Sequence, residues 1–276
     1  MRRNNYFKTL AAMLFCGIMV LASCGTSRTV PITGRKQSLM VTDEQMLSLS
    51  NQEYSKYMKS AKKSTNTANT QMVVRVGKKL ANAVESYLKA NNMSNELSGY
   101  QWEFNLVQDK SVNAFCMPGG KIVVYEGLLP VTQNEASLAV VLGHEIAHAV
   151  AKHSAEQISN QYKNQYGMQA LSVLAAGVGV SADAQQLGQI LIGIGGKALT
   201  SGFSRKQESE ADHMGLIFAA MAGYNPNEAV TFWQRMASAT GGGSNSIFSD
   251  HPSDASRIKN IQGWIPEAMT YYKAGK

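Results

Sequence analysis

Ala136 to Val150 reads Ala-Ser-Leu-Ala-Val-Val-Leu-Gly-His-Glu-Ile-Ala-His-Ala-Val, and no other stretch limits the fold as strongly. As a helix it is apolar almost all round, so the rest of the domain has to wrap it on every side. Set within it are His144, Glu145 and His148. An imidazole or carboxylate buried without a partner is costly, so the fold must also bring polar groups to this helix. The periodicity predicts one long helix here, from about Asn134 to Ser159.

Residues four apart on a helix differ in direction by only about 40°. His144 and His148 therefore project from one side and are able to share one ion, with Glu145 beside them. Imidazole pairs suit Zn2+, which takes about four ligands and in catalytic sites keeps one position for water. The ion brings that water's pKa towards neutrality. Glu145 is then placed to accept its proton during attack on a peptide carbonyl and to deliver it to the leaving amine.

A third ligand has to come from elsewhere. Proteases that extend the motif to His-Glu-x-x-His-x-x-Gly-x-x-His need Gly and His where this chain has Ala151 and Ser154. His153, five residues past His148, falls on another face of a continuous helix. Downstream, Glu208 and Asp212 stand four apart on a helix expected over Glu208 to Met221, which Ala211, Met214, Gly215, Leu216 and Phe218 show to pack inward. One carboxylate is able to bind the ion while the other orients a histidine.

His-Glu-x-x-His followed by Glu-x-x-x-Asp resembles the zinc metallopeptidase family of prenyl-protein endopeptidases, stress-linked membrane zinc peptidases and periplasmic BepA-type proteases. The resemblance covers most of the chain that would remain after removal of a leader. It implies a mainly helical, zincin-like α+β domain with a small antiparallel sheet beside the active-site helix. It assigns Glu208 as third zinc ligand, one Zn2+ per chain, and Asp212 as support, with Glu210 between them not a ligand. Asn113-Ala114-Phe115-Cys116-Met117-Pro118-Gly119-Gly120 resembles the family's strand and turn beside the cleft, which makes Asn113, Ala114 and Phe115 substrate-binding candidates through β-addition. Asp250-His251-Pro252 with Arg257 resembles its His-Pro element. His251 would donate to an oxyanion or occupy the open zinc position, and Arg257 would anchor that loop or assist the oxyanion.

At the start of the chain, Arg2, Arg3 and Lys8 precede an apolar run from Leu10 to Ala22, the layout of a secretory signal. It ends in Leu21-Ala22-Ser23-Cys24, which resembles a bacterial lipobox, so Cys24 is expected to carry lipid after removal of residues 1–23. An ordinary signal peptide cut elsewhere and an uncleaved anchor helix are the alternatives. Residues 24–41 lack helical periodicity and read as a tether or as an extended segment lying on the domain. Residues 42–276 form the catalytic domain.

Within that domain Thr42-Asp43-Glu44 starts a helix carrying Met46, Leu47, Tyr54 and Tyr57. A second helix covers Gln71 to Lys89 with Val73, Val76, Leu80 and Val84 inward. Strands follow at Trp102–Val107, Val112–Cys116 and Lys121–Tyr125, forming a sheet expected to be antiparallel. Met168–Ala182 and Leu187–Leu199 are apolar but too short to span a membrane, and read as buried or groove-lining helices. Further helices are expected over Asn227–Ala239 and Ser253–Gly263.

With 44% hydrophobic and 16% charged residues the chain is a folded domain rather than a disordered one. Its formal charge is +7, and the first 23 residues carry three of the 26 basic residues and no acid, so the remainder is too mildly basic to indicate a nucleic-acid partner. Once Cys16 is removed and Cys24 lipidated, Cys116 has no disulfide partner and reads as a packing residue. The expected function is a lipid-anchored endopeptidase of the bacterial cell envelope, on the outer membrane facing the periplasm. Its expected substrates are unfolded or misassembled envelope proteins. The alternatives are a chaperone-like client-binding lipoprotein and a lipoprotein with a purely structural zinc, although a structural site has four protein ligands and no use for Glu145.

Overall fold

The structure, a computed structural model, describes residues 26–176, 202–240 and 255–274. Strands β1 (Thr26–Thr29) and β2 (Lys36–Leu39) pair as an antiparallel hairpin. Helices α1 (Asp43–Ser60) and α2 (Thr67–Ala90) come next, then β3 (Glu103–Val107), β4 (Ala114–Met117) and β5 (Lys121–Tyr125). A short α3 (Leu129–Thr132) leads into α4 (Glu135–Val150) and α5 (His153–Ala176). The remaining helices are α6 (Arg205–Met221), α7 (Glu228–Thr240) and α8 (Ala255–Ala274). The architecture is the expected one, mainly helical α+β with a small sheet against α4.

Local chemistry accounts for the start of three of the helices. Thr42 and Gln45 form a capping box at the start of α1, as Ser204 and Gln207 do for α6. Asn134 accepts a hydrogen bond from the backbone N–H of Ser137 to begin α4. On α2, Val73, Val76, Leu80, Val84 and Leu88 recur at helical spacing and all are buried. Where α2 meets β3, Gly77 lies under the Phe104 ring, and a Cβ there would come within 2.2 Å of it.

The three-stranded sheet differs from expectation. Its order is β3-β5-β4, with β4 antiparallel and β3 parallel to β5. Gly119 and Gly120, both at positive φ, make the tight turn that forces β4 and β5 into a hairpin. The connection 108–113 bridges two strand spacings, about 10 Å. Strand β5 returns into the gap it leaves, parallel to β3, and β4 becomes an edge.

The helix expected from Asn134 to Ser159 is two helices. The backbone turns at Lys152, which sits at φ +54°, and α5 starts at His153 on a new axis. That conformation costs a non-glycine residue roughly 1–2 kcal/mol. The Lys152 ammonium offsets part of the cost by pairing with Asp43 at 2.7 Å and Glu96 at 3.2 Å. Helix α8 runs past Gly263 and Pro266, beyond its expected end, because Ile261 and Ala268 are held in the core. The apolar segment from Met168 begins within α5, and the rest of it, with Leu187–Leu199, lies outside the described residues.

Of the two readings for residues 24–41, the structure gives the docked segment for residues 26–39. Arg28 pairs with Glu96 at 2.7 Å, and the Gln37 amide donates to the Ala151 carbonyl at 2.9 Å. Residues 1–25, including Cys24, lie outside the described residues.

Helices α4 and α6 meet at Gly143 and Gly215. A Cβ on Gly143 would lie 2.6 Å from the Gly215 carbonyl oxygen, and one on Gly215 would lie 2.5 Å from the His144 nitrogen. Both obstacles are backbone, which cannot rotate away. Gly215→Ala would gain up to about 1 kcal/mol of helix propensity, but overpacking of this kind costs about 1–3 kcal/mol. We expect a net fall in melting temperature by calorimetry; an increase would show that the crossing has slack.

Candidate metal centre

Every residue of α4 from Ser137 to Val150 is buried, so His144, Glu145 and His148 sit inside the domain. The Gly143–Gly215 contact lays α6 across α4 and brings the buried carboxylates Glu208 and Asp212 to the same place. The Nε2 atoms of His144 and His148 are 3.0 Å apart. Glu208 places one oxygen 3.5 Å from His144 Nε2 and the other 3.4 Å from His148 Nε2. His144, His148 and Glu208 form a group able to hold a metal ion.

The donor chemistry fits such an ion. Ligands about 2.0–2.1 Å from a tetrahedral zinc lie about 3.3 Å from each other, close to the spacings here. His144 Nδ1 faces Asp212 Oδ1 at 2.9 Å, which fixes the proton on Nδ1 and leaves a lone pair on Nε2. His148 Nδ1 faces His153 Nδ1 at 2.8 Å. If the first is the donor, Nε2 of His148 likewise presents a lone pair. Two lone pairs and a carboxylate at this separation repel one another unless a cation lies between them.

Electrostatics supports the neutral ligand. Burial pushes the His148 imidazole well below its usual pKa, against the opposing pull of Glu208, and a metal ligand has to be neutral. Burial raises the Asp212 carboxyl, but Arg257 and the His144 N–H outweigh it and hold Asp212 below its usual value. Arg257, on α8, donates to Asp212 Oδ1 at 2.6 Å and lies 3.8 Å from Glu208. Its guanidinium stacks 3.6 Å from the centre of the Trp233 ring on α7. Arg257 is therefore a buried support behind the ligands.

The substrate-binding candidates have divided roles. Asn113 accepts the Tyr125 N–H through its carbonyl, the Ala114 side chain is in the core, and Phe115 packs edge-on against Tyr57 and Tyr125. What β4 offers is its backbone edge, beside α4. Burial, reinforced by the charge of Glu145, pushes the Cys116 thiol well above its usual pKa. That suits a packing residue. His251 lies outside the described residues.

Two participants were not anticipated. Phe203, just ahead of α6, stacks on the His148 ring with centroids 4.0 Å apart. His153 is fully buried, with Nε2 3.0 Å from Glu210. It reaches His148 because the turn at Lys152 redirects the chain; on one continuous helix it would point elsewhere. The Ser204-x-x-Gln207 capping box was a signal for an earlier start to α6. Nothing local marked His153.

A model of Peptidase family M48 matches residues 74–265. The chain is 42% identical over 176 residues to the mitochondrial metalloendopeptidase OMA1 of Schizosaccharomyces pombe, covering 63% of the chain and 49% of that protein. It is 32% identical over 177 residues to metalloprotease LoiP of Escherichia coli, covering 63% and 66%. It is 29% identical over 273 residues to the human mitochondrial metalloendopeptidase OMA1, covering 97% and 51%. The chain thus spans about half the length of these OMA1 relatives.

Asp212→Asn keeps the shape of the partner to His144 and removes its charge. Loss of such a partner typically weakens metal binding by about 10–100-fold. Competition with a zinc chelator should show a fall of that size; an unchanged dissociation constant would remove Asp212 from the site.

Proposed function

The chain belongs to peptidase family M48 and so to the metallopeptidases, and from that premise we propose that it is a zinc endopeptidase with Glu145 as general base. The observation that carries the reading is the convergence of two imidazoles from α4 and one carboxylate from α6 on a single point. His144, His148 and Glu208 would hold the ion. Three protein ligands leave a position for water, which separates this arrangement from a structural site with four. When bound, zinc acidifies water and polarises the scissile carbonyl.

The chain's own residues do the rest. Glu145 follows His144 directly on α4 and is buried beside the group. Its carboxylate takes the proton of the attacking water and passes it to the leaving nitrogen, so one residue serves both transfers. Substrate would lie extended along the edge of β4, its backbone bonding to that strand around Asn113, Ala114 and Phe115. Asp212 and Arg257 orient His144. In this reading His251 stabilises the oxyanion or blocks the open position.

The substrates we propose are unfolded or misassembled envelope proteins, which present extended backbone. The proposed location is the periplasmic face of a bacterial outer membrane, with lipidated Cys24 as the anchor. The basic leader and Leu21-Ala22-Ser23-Cys24 support this, and one relative is a metalloprotease of Escherichia coli. Among the described residues no helix is long and apolar enough to cross a membrane. The likeness to prenyl-protein endopeptidases and BepA-type proteases rests on shared motifs alone.

The test is cleavage of an unfolded protein by the purified chain, with and without chelator, beside Glu145→Gln. General bases contribute about 10²–10⁴-fold. The variant should keep its zinc and lose activity by that factor, and chelation should abolish cleavage by the unaltered chain. Undiminished cleavage by Glu145→Gln would sink the mechanism, and binding without cleavage by the unaltered chain would point to a client-holding role.

A further inference from the structure

We propose that the N-terminal hairpin belongs to the metal site, with Arg35 and Thr33 as positioning residues that fix His148 through Glu210 and His153. The inference rests on the reading that His148 binds the ion.

A metal on Nε2 leaves the His148 proton on Nδ1, where it faces His153 Nδ1 at 2.8 Å. That nitrogen must then accept, so the His153 proton sits on Nε2 and points at Glu210 Oε2, 3.0 Å away. Each tautomer is thus set by the group behind it, and the series ends on a carboxylate.

Glu210 is held from the hairpin. Thr33 Oγ1 donates to Oε1 at 2.6 Å and Arg35 Nε donates to Oε2 at 2.8 Å. The same guanidinium forks onto both oxygens of Glu156 on α5, at 2.6 and 2.9 Å. Gln207 of α6 also donates to Glu156, at 2.9 Å. One arginine therefore locks α5 to α6 at the point where His153 and Glu210 meet.

The hairpin contacts α4 independently. Gln37 and Arg28 donate to the carbonyls of Ala151 and Val150, at 2.9 and 3.3 Å. These groups at the helix end have no partner within the helix. The two zinc imidazoles are thus backed differently. His144 meets its carboxylate directly, whereas His148 needs a second histidine and a segment more than a hundred residues away in sequence.

The full chain tests this through its affinity for Zn2+, measured by chelator competition, and through the visible spectrum of the Co2+-substituted protein. Arg35→Ala should weaken zinc binding by about 10-fold or more and shift the Co2+ bands. Arg35→Lys, which keeps a cation beside Glu210 without the fork, should recover part of the loss. Thr33→Val should give a smaller loss in the same direction. Arg75→Ala removes a more exposed Arg–Glu pair, between α2 and Glu135, and should leave both readouts unchanged. In a His153→Gln background, Arg35→Ala should have little further effect.

Wild-type affinity and spectrum in Arg35→Ala would overturn the proposal. So would an equal loss with and without His153, because the hairpin would then act through general stability. Failure of the unaltered chain to bind Zn2+ would overturn the metal reading itself, a separate result.

Discussion

Two backbones touch where α4 crosses α6, with no side chain between Gly143 and Gly215. Helices packed through ordinary side chains keep their axes about 8–10 Å apart. The glycine contact brings them closer and fixes how far each helix can turn. His144 follows one glycine, while Glu208 and Asp212 lie two turns and one turn before the other. A carboxylate has a short reach, so Glu208 meets both Nε2 atoms only because the axes approach this closely. The apolar surround of α4, the placement of α7 and α8 and the docking of the hairpin all build outward from this contact.

The same approach concentrates charge in the buried interior. Glu208, Asp212 and Glu210 are all buried on one helix. An uncompensated buried charge is strongly destabilising. Arg257 answers Asp212 and Arg35 answers Glu210, each at salt-bridge distance. Burial lowers the pKa of His148 and His153, which keeps these imidazoles neutral. Compensating groups come from both ends of the described chain, so the site closes only when the whole domain is folded.

Legibility in the sequence followed the range of the interactions. The spacing of His144, His148, Glu208 and Asp212 is a property of helices, and so is the apolar stripe of α2, so both were readable. The break at Ala151–Lys152 was not. It contains neither glycine nor proline, and the pairing of Lys152 with Asp43 and Glu96 that stabilises it is tertiary. Missing that break hid His153, whose role depends on the change of axis. The parallel pairing of β3 was hidden because β5 enters a gap left by a connection with no distinctive residues. Helix α8 passed its apparent stop signals because its far half is packed. Arg35 sits in a segment without periodicity, and only contact with Glu156 and Glu210 gives it meaning.

The placement of the hairpin bears on where this folding unit begins. The stretch matched by the family pattern starts at residue 74, while the groups that cover the end of the histidine-bearing helix come from residues 28 and 37. A fragment trimmed to the matched stretch would expose helix-end carbonyls and leave a buried glutamate without its arginine. The boundary of the recognisable pattern and the boundary of the stable body are different lines. The second runs at least as far as the first strand.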